Sequence, residues 1–159
     1  MTAKVISINI SDKKGVRKKP VDEIVIEENY GIKGDAHASE KWHRQISLLA
    51  LESIKKMQDM GLKVKAGDFA ENITTEGIDL ISLPIGTRIN IGKDVELEVS
   101  QIGKVCHNRC AIYYQAGDCV MPKEGIFVKV LKGGTVKKGD KIVVGDQGSG
   151  VSKKLIPNP

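Results

Sequence analysis

Short runs in which apolar and polar residues alternate recur along the chain and predict β-strands, because successive side chains of a strand point to opposite faces. In the first run, Ile6, Ile8 and Ile10 are expected to share one face. The turn Gly92-Lys93-Asp94 separates two runs and is typical of a β-hairpin. Residues 133–140 are rich in turn formers and are expected to join the last two strands. The predicted strands are residues 4–10, 21–27, 87–91, 95–102, 126–131 and 141–144.

One helix is predicted over roughly residues 50–60. Its apolar positions recur at helical spacing and are expected to face the core: Leu51, Ile54, Met57 and Met60. Gly61 can end the helix in the left-handed conformation. Many short strands with one helix indicate a mainly β protein, either a barrel or a sandwich with helical insertions.

The composition is that of an ordinary globular protein. With 159 residues, 40% apolar and 28% charged, the chain fits one domain with a substantial core. No apolar run approaches the ~20 residues of a membrane span, and the first ten residues do not read as a signal peptide. We therefore expect a cytoplasmic protein without a membrane partner, in which three cysteines, an odd number, remain thiols.

The net charge of +5 permits an anionic ligand but does not indicate specific binding of nucleic acid. Aromatic residues make up only 4% of the chain, which leaves few stacking platforms, and no nucleic-acid motif is evident. Many lysines occur as scattered pairs, an arrangement typical of a solvated surface: Lys13/Lys14, Lys18/Lys19, Lys55/Lys56 and Lys137/Lys138.

All three cysteines fall within 14 residues, in Cys106-His107-Asn108-Arg109-Cys110 and at Cys119. Three interpretations are open: a functional thiol, a zinc site and a group of inert buried cysteines. The spacing of Cys106 and Cys110 suits zinc, but a second ligand pair is missing. Cys106 is the best nucleophile, because it follows a predicted strand and because His107 and Arg109 would favour its thiolate.

Two further segments carry polar groups that could serve a site. In Gly31-Ile32-Lys33-Gly34-Asp35-Ala36-His37, Asp35 could orient His37 or cap a turn. In residues 67–77, Glu71 and Asn72 place a carboxylate beside an amide, and either could hydrogen-bond a polar heterocycle. Each segment could equally be an ordered loop whose polar side chains bond its own backbone.

Taken in order along residues 4–144, these segments resemble the MOSC domain, the C-terminal domain of molybdenum cofactor sulfurases. The resemblance rests on seven motifs: GIKGDAH (31–37), RQISLL (44–49), GDFAENITTEG (67–77), LPIG (83–86), Cys106, GIFVKVLKGG (125–134) and GDKI (139–142). It is strongest with small stand-alone members associated with molybdenum cofactor biosynthesis. Ala70 departs from the family pattern, in which glycine is commoner at this position.

The resemblance implies a closed, strand-rich barrel of the pyruvate-kinase-barrel type with one or a few short helices. It implies one domain over residues 1–145, and the polar, glycine-rich composition of residues 146–159 predicts a flexible C-terminal tail. Cys106 would ligate molybdenum or carry a persulfide. The resemblance also implies that four polar residues line one cleft: Asp35, His37, Glu71 and Asn72.

The pterin of the molybdenum cofactor would need polar partners for its ring and basic partners for its phosphate. Glu71 and Asn72 suit the ring, and the phosphate would be bound by the basic residues Arg44, Lys104 and Arg109. Pyridoxal phosphate is not expected, because in the sulfurases it belongs to a separate N-terminal domain.

The first functional hypothesis is a molybdenum-cofactor-binding protein that carries or transfers sulfur, or presents the cofactor to a partner. Its partners would be a sulfur donor protein or proteins of molybdenum cofactor biosynthesis. The second is a molybdenum-dependent reductase of N-hydroxylated compounds, which would need an external electron-donor reductase. The third is a zinc-stabilised binding module, in which the three cysteines and a histidine would bind the metal.

Overall fold

The computed structural model describes residues 3–14, 16–103 and 124–147. Eleven strands, one α-helix and one 3-10 turn lie within these ranges and are joined by turns and loops. The helix, α1, runs from Leu51 to Asp59, and the 3-10 turn covers Leu80–Ser82. The strands are β1 (Ala3–Ile10), β2 (Lys19–Val21), β3 (Glu23–Glu27), β4 (Gly31–Ile32), β5 (Ile46–Ala50), β6 (Ile73–Glu76), β7 (Thr87–Ile91), β8 (Val95–Ile102), β9 (Ile126–Lys132), β10 (Gly134–Lys137) and β11 (Lys141–Gln147).

Seven of these strands close into a barrel in the order β11-β7-β8-β9-β5-β6-β1, and β1 pairs again with β11. All neighbours are antiparallel except β5 and β6, which are parallel and are connected through α1. Parallel neighbours need such a crossover connection, because a tight turn cannot join them. A second sheet contains β10, β3 and β4. The prediction of a mainly β fold with a closed barrel is confirmed.

Apolar side chains fill the barrel, and a second apolar cluster lies beneath the helix. The hairpin of β7 and β8 alternates as its sequence predicts, with Ile89, Ile91 and Leu97 fully buried. Every residue of β5 is buried, because α1 covers the face that points away from the barrel. Leu49 contributes to this second cluster, together with Ile54 of the helix.

Four details of the sequence prediction were wrong. A bulge between Val5 and Ser7 breaks the period of β1, so Val5 and Ile8 are buried while Ile6 is only half-buried. Met60 lies beyond the last helical residue and is 58% exposed rather than part of the core.

The other two corrections concern strand boundaries. Residues 133–140 do not form a simple connection, since they contain β10, of which only Val136 is fully buried. The strand predicted over residues 21–27 is divided into β2, which pairs with β1, and β3, which pairs with β10. Among the described residues, no helix has both the length and the apolar character that a bilayer span requires.

Candidate functional site

The carboxylate of Asp35 lies at the centre of a buried cluster beyond the end of β1. Its Oδ1 accepts hydrogen bonds from Lys18 Nζ at 2.8 Å and from the backbone N–H of Ser11 at 3.1 Å. Its Oδ2 accepts a hydrogen bond from the backbone N–H of His37 at 3.0 Å. Burial by itself would raise the pKa of Asp35, but the His37 and Lys18 groups around it hold that pKa well below its usual value. Asp35 is therefore an ionised anchor for its loop.

His37 follows Asp35 and has a quarter of its side chain exposed. Its Nδ1 is buried 3.7 Å from Asp35 Oδ2 and has no hydrogen-bond partner among the described residues. That distance is too long for a direct hydrogen bond. His37 is thus a partly exposed side chain whose buried Nδ1 is unsatisfied among the described residues.

Glu71 is fully buried between the loop that follows α1 and strand β6. Its Oε2 accepts hydrogen bonds from the backbone N–H of Gly67 at 2.9 Å and from Thr74 Oγ1 at 2.7 Å. Its Oε1 has no partner in the described part of the chain. Burial raises the pKa of Glu71, although these hydrogen bonds oppose the shift.

Asn72 joins three segments of the barrel wall and is also fully buried. Its Oδ1 accepts hydrogen bonds from both the backbone N–H and the hydroxyl of Ser47, at 3.0 and 3.2 Å. Its Nδ2 donates to the backbone carbonyl of Asn9 at 3.2 Å. The Asn72 side chain is therefore engaged within the fold, and its binding of a cofactor stays a prediction.

Lys18 connects the two polar loops and was missed by the sequence analysis, which placed it in a surface pair. Its side chain is fully buried, whereas the neighbouring Lys19 is exposed. Its ammonium binds Asp35, and its backbone N–H donates to the carbonyl of Gly67 at 2.8 Å. Gly67 has φ +91°, and a β-carbon there would overlap the carbonyl oxygen of Lys18. Only a residue without a side chain allows this approach.

Arg44 lies at the start of the barrel wall beside β5, and aromatic rings surround its guanidinium. The guanidinium carbon is 5.2 Å from the ring centre of Trp42 and 5.0 Å from that of Phe127. Nε donates to Gln101 Oε1 at 2.9 Å. The terminal nitrogens form no hydrogen bond or ion pair with any described residue, so Nε and the two rings hold the guanidinium while its terminal N–H groups have no partner in this part of the chain.

Further cationic and polar groups surround Arg44. Lys14 Nζ is 5.2 Å from the ring centre of Trp42, which is itself 44% exposed. His43 Nε2 lies 2.6 Å from the same Gln101 oxygen that Arg44 binds. We call the surface formed by Lys14, Trp42, His43 and Arg44 the arginine patch. Its cationic groups and its aromatic ring suit an anion that has a planar part.

Gln101 connects the arginine patch to the segment that carries the cysteines. Its Nε2 donates to the carbonyl of Gly103 at 2.7 Å, and Gly103 directly precedes residues 104–123. Lys104, Cys106 and Arg109 belong to that segment and lie outside the described residues, as do Cys110 and Cys119. Within the described ranges, no group of three or more His, Cys, Asp or Glu side chains could hold a metal ion. The zinc hypothesis thus stays a prediction.

Two surface pockets lie apart from these groups. One of about 470 Å³ is lined by residues of α1 and of the 3-10 turn, including Lys56 and Leu80. The other, of about 520 Å³, lies near the end of α1 and includes Arg17 and Lys65. Neither contains a residue that the sequence predicts for the site.

Comparison with known proteins is decisive for the family. The family model described as the MOSC domain matches residues 33–143, more than half of the chain. The chain belongs to the MOSC domain family. A comparison with curated proteins gave no match.

Solved structures of similar shape agree with a MOSC fold. The YuaD protein from Bacillus subtilis is 24% identical, with a TM-score of 0.74 over 89% of this chain and 94% of YuaD. YiiM from Geobacillus stearothermophilus is 21% identical, with a TM-score of 0.68 over 93% of this chain and 77% of YiiM. YiiM from Escherichia coli is 19% identical, with a TM-score of 0.67 over 96% of this chain and 73% of that protein. At these identities the likeness concerns the fold.

Proposed function

We propose that this MOSC domain binds the molybdenum cofactor and uses Cys106 as a thiolate or persulfide to carry sulfur or to ligate the metal. Membership of the family supports the proposal. The observation that carries it is Arg44, whose terminal nitrogens have no partner among the described residues and lie beside the strand that leads to the cysteine segment.

The groups present suit such a cofactor. The arginine fork can bind a phosphate through two parallel hydrogen bonds, and Lys14 adds positive charge. The exposed ring of Trp42 offers an aromatic surface beside the fork. When bound, the cofactor would supply a metal centre for which a soft thiolate such as that of Cys106 is a suitable ligand.

The division of work among the residues follows from their environments. Arg44 would bind the anion and set its orientation, because Gln101 and two rings already restrict the guanidinium. Cys106 would supply the sulfur atom, and Lys104 and Arg109 would add charge at the phosphate. Glu71 and Asn72 would support the barrel wall, since most of their polar atoms are engaged internally.

The test is the molybdenum and pterin content of the protein purified from a host that synthesises the cofactor. We expect both in the wild type, a loss of molybdenum in Cys106→Ala, and a roughly 10- to 150-fold weaker retention of the pterin in Arg44→Gln. The last figure corresponds to one hydrogen-bonded charge, worth about 1.5–3 kcal/mol. Lys41→Gln is the matched control, because it removes one exposed positive charge three residues away.

The outcomes separate the parts of the proposal. Wild-type protein without molybdenum or pterin would contradict cofactor binding as a whole. Full molybdenum in Cys106→Ala would contradict the role of that thiol alone. Equal pterin retention in Arg44→Gln and Lys41→Gln would contradict the phosphate site alone.

A further inference from the structure

The buried ammonium of Lys18 needs a reason, because removing a charge from water costs several kcal/mol even in real proteins. Lys18 Nζ has two partners, Asp35 Oδ1 at 2.8 Å and Ser11 Oγ at 3.0 Å. Both side chains of the ion pair are fully shielded from solvent. The pair is therefore rigid, and its geometry is transmitted to whatever Asp35 contacts on its other side.

The other side of Asp35 contacts His37. Oδ2 accepts the backbone N–H of His37 at 3.0 Å and lies 3.7 Å from the ring Nδ1. This oxygen is an acceptor only, because Asp35 is ionised. A lone pair on Nδ1 would face that negative oxygen, whereas a proton on Nδ1 would be attracted to it. The tautomer of a histidine is set by what its ring nitrogens face, and here the charged oxygen 3.7 Å from Nδ1 acts by electrostatic attraction rather than by a direct hydrogen bond.

We propose that Lys18 and Asp35 form a buried clamp that holds neutral His37 as the Nδ1–H tautomer and leaves Nε2 as a proton acceptor. Lys18 acts through Asp35 and is a positioning residue. Nδ1 is shielded while a quarter of the side chain is exposed, so a ligand would meet the remainder of the ring. Any contact of Nε2 with a bound cofactor rests on the proposed function, whereas the tautomer does not.

The test is ¹⁵N NMR of the histidine rings, with the His37 signals assigned by comparison with His37→Gln. We expect wild-type Nδ1 to carry the proton and Nε2 to carry the lone pair. In Asp35→Asn the ratio of the Nδ1–H form to the Nε2–H form should fall about tenfold, the equivalent of about 1.4 kcal/mol. A wild-type ring in the Nε2–H form, or an unchanged ratio in Asp35→Asn, would overturn the clamp.

A second measurement, the exchange of lysine ammonium protons, uses the wild-type protein alone. The Lys18 ammonium protons should exchange with solvent slowly in the wild type, because the group is buried and doubly bonded, whereas those of exposed Lys19 should exchange rapidly. Lys18→Met should lower the same tautomer ratio, because Lys18 keeps Asp35 ionised and in position, whereas Lys19→Met should leave the ratio unchanged. Equal exchange at the two lysines would rule out the clamp. A correct tautomer in protein that holds no molybdenum would leave the clamp standing and the proposed function wrong.

Discussion

Gly67 allows the sharpest test of how the two polar loops are joined. Gly67 and Gly139 have nearly the same backbone angle, φ +91° and +92°, but a β-carbon would overlap the Lys18 carbonyl at Gly67 and meet nothing within 4 Å at Gly139. An alanine at such an angle costs about 1–2 kcal/mol, of which about 0.4–1 kcal/mol is offset by restriction of the unfolded chain. Gly139→Ala should therefore lower the free energy of unfolding by about 0.5–1 kcal/mol.

Gly67→Ala should cost considerably more. The added methyl group must displace the Lys18 backbone, whose N–H donates to the Gly67 carbonyl at 2.8 Å. It also disturbs the hydrogen bond from Gly67 N–H to Glu71 Oε2 at 2.9 Å. Leaving a buried partner unsatisfied costs about 1–3 kcal/mol at each of these two hydrogen bonds, so the loss should exceed that of Gly139→Ala by at least about 2 kcal/mol.

Urea unfolding of both variants and the wild type measures this difference. We expect Gly67→Ala to be at least about 2 kcal/mol less stable than Gly139→Ala. The slope of the unfolding free energy against urea concentration should be the same in both variants. For a protein of this size, that gap corresponds to a melting temperature about 4–8 °C lower. Agreement of the two variants within about 0.5 kcal/mol would refute the steric explanation, because backbone angle alone would then account for both.

Three other predictions concern the same network. Lys18→Met should cost about 3–5 kcal/mol in urea unfolding by leaving Asp35 buried without its cation, whereas Lys19→Met should stay within about 0.5 kcal/mol of the wild type; equal losses would contradict the buried pair. Because burial raises the pKa of Glu71 above its ordinary 4.5, the folded state retains a proton that the unfolded chain releases, so wild-type stability should fall as pH rises through and beyond that value. Glu71→Gln should lack this fall, and parallel pH–stability curves would contradict it. Ala70 has φ +64°, so Ala70→Gly should raise the unfolding free energy by up to about 1 kcal/mol, and a calorimetric loss of stability would count against strain at this residue.

Sequence reasoning succeeded where one face of a strand meets the core and the other meets water. The hairpin of β7 and β8 shows this alternation, and its boundaries were predicted within the ranges observed. It failed for β5, which is buried on both faces because α1 covers its outer side, so no alternation marks it. It failed also at β10, where turn-forming residues make up a strand with one buried side chain, Val136.

The candidate site shows the same limit. The motifs drew attention to Asp35, Glu71 and Asn72, but spacing cannot reveal that most of their polar atoms are satisfied within the fold. Lys18 could not be found, because a lysine beside another lysine looks like surface until its partner, 17 residues away, is placed next to it. The glycine that the family prefers at Ala70 did carry information, since this residue has a positive φ.

The way the barrel closes has a consequence for its motions. Between β1 and β11 the described register contains the pairs Ala3 with Ile142 and Lys4 with Lys141, whereas β8 and β9 are paired along almost their whole length. A short ladder at one seam needs less free energy to separate than the rest of the wall, so openings should begin there. In native-state hydrogen exchange, the amides of Val5 and Gly139, which bond across this seam, should lose protection before those of β8. The pairing of β1 with β11, two strands distant in sequence, thus determines whether the sheet is closed into a barrel or open at this seam.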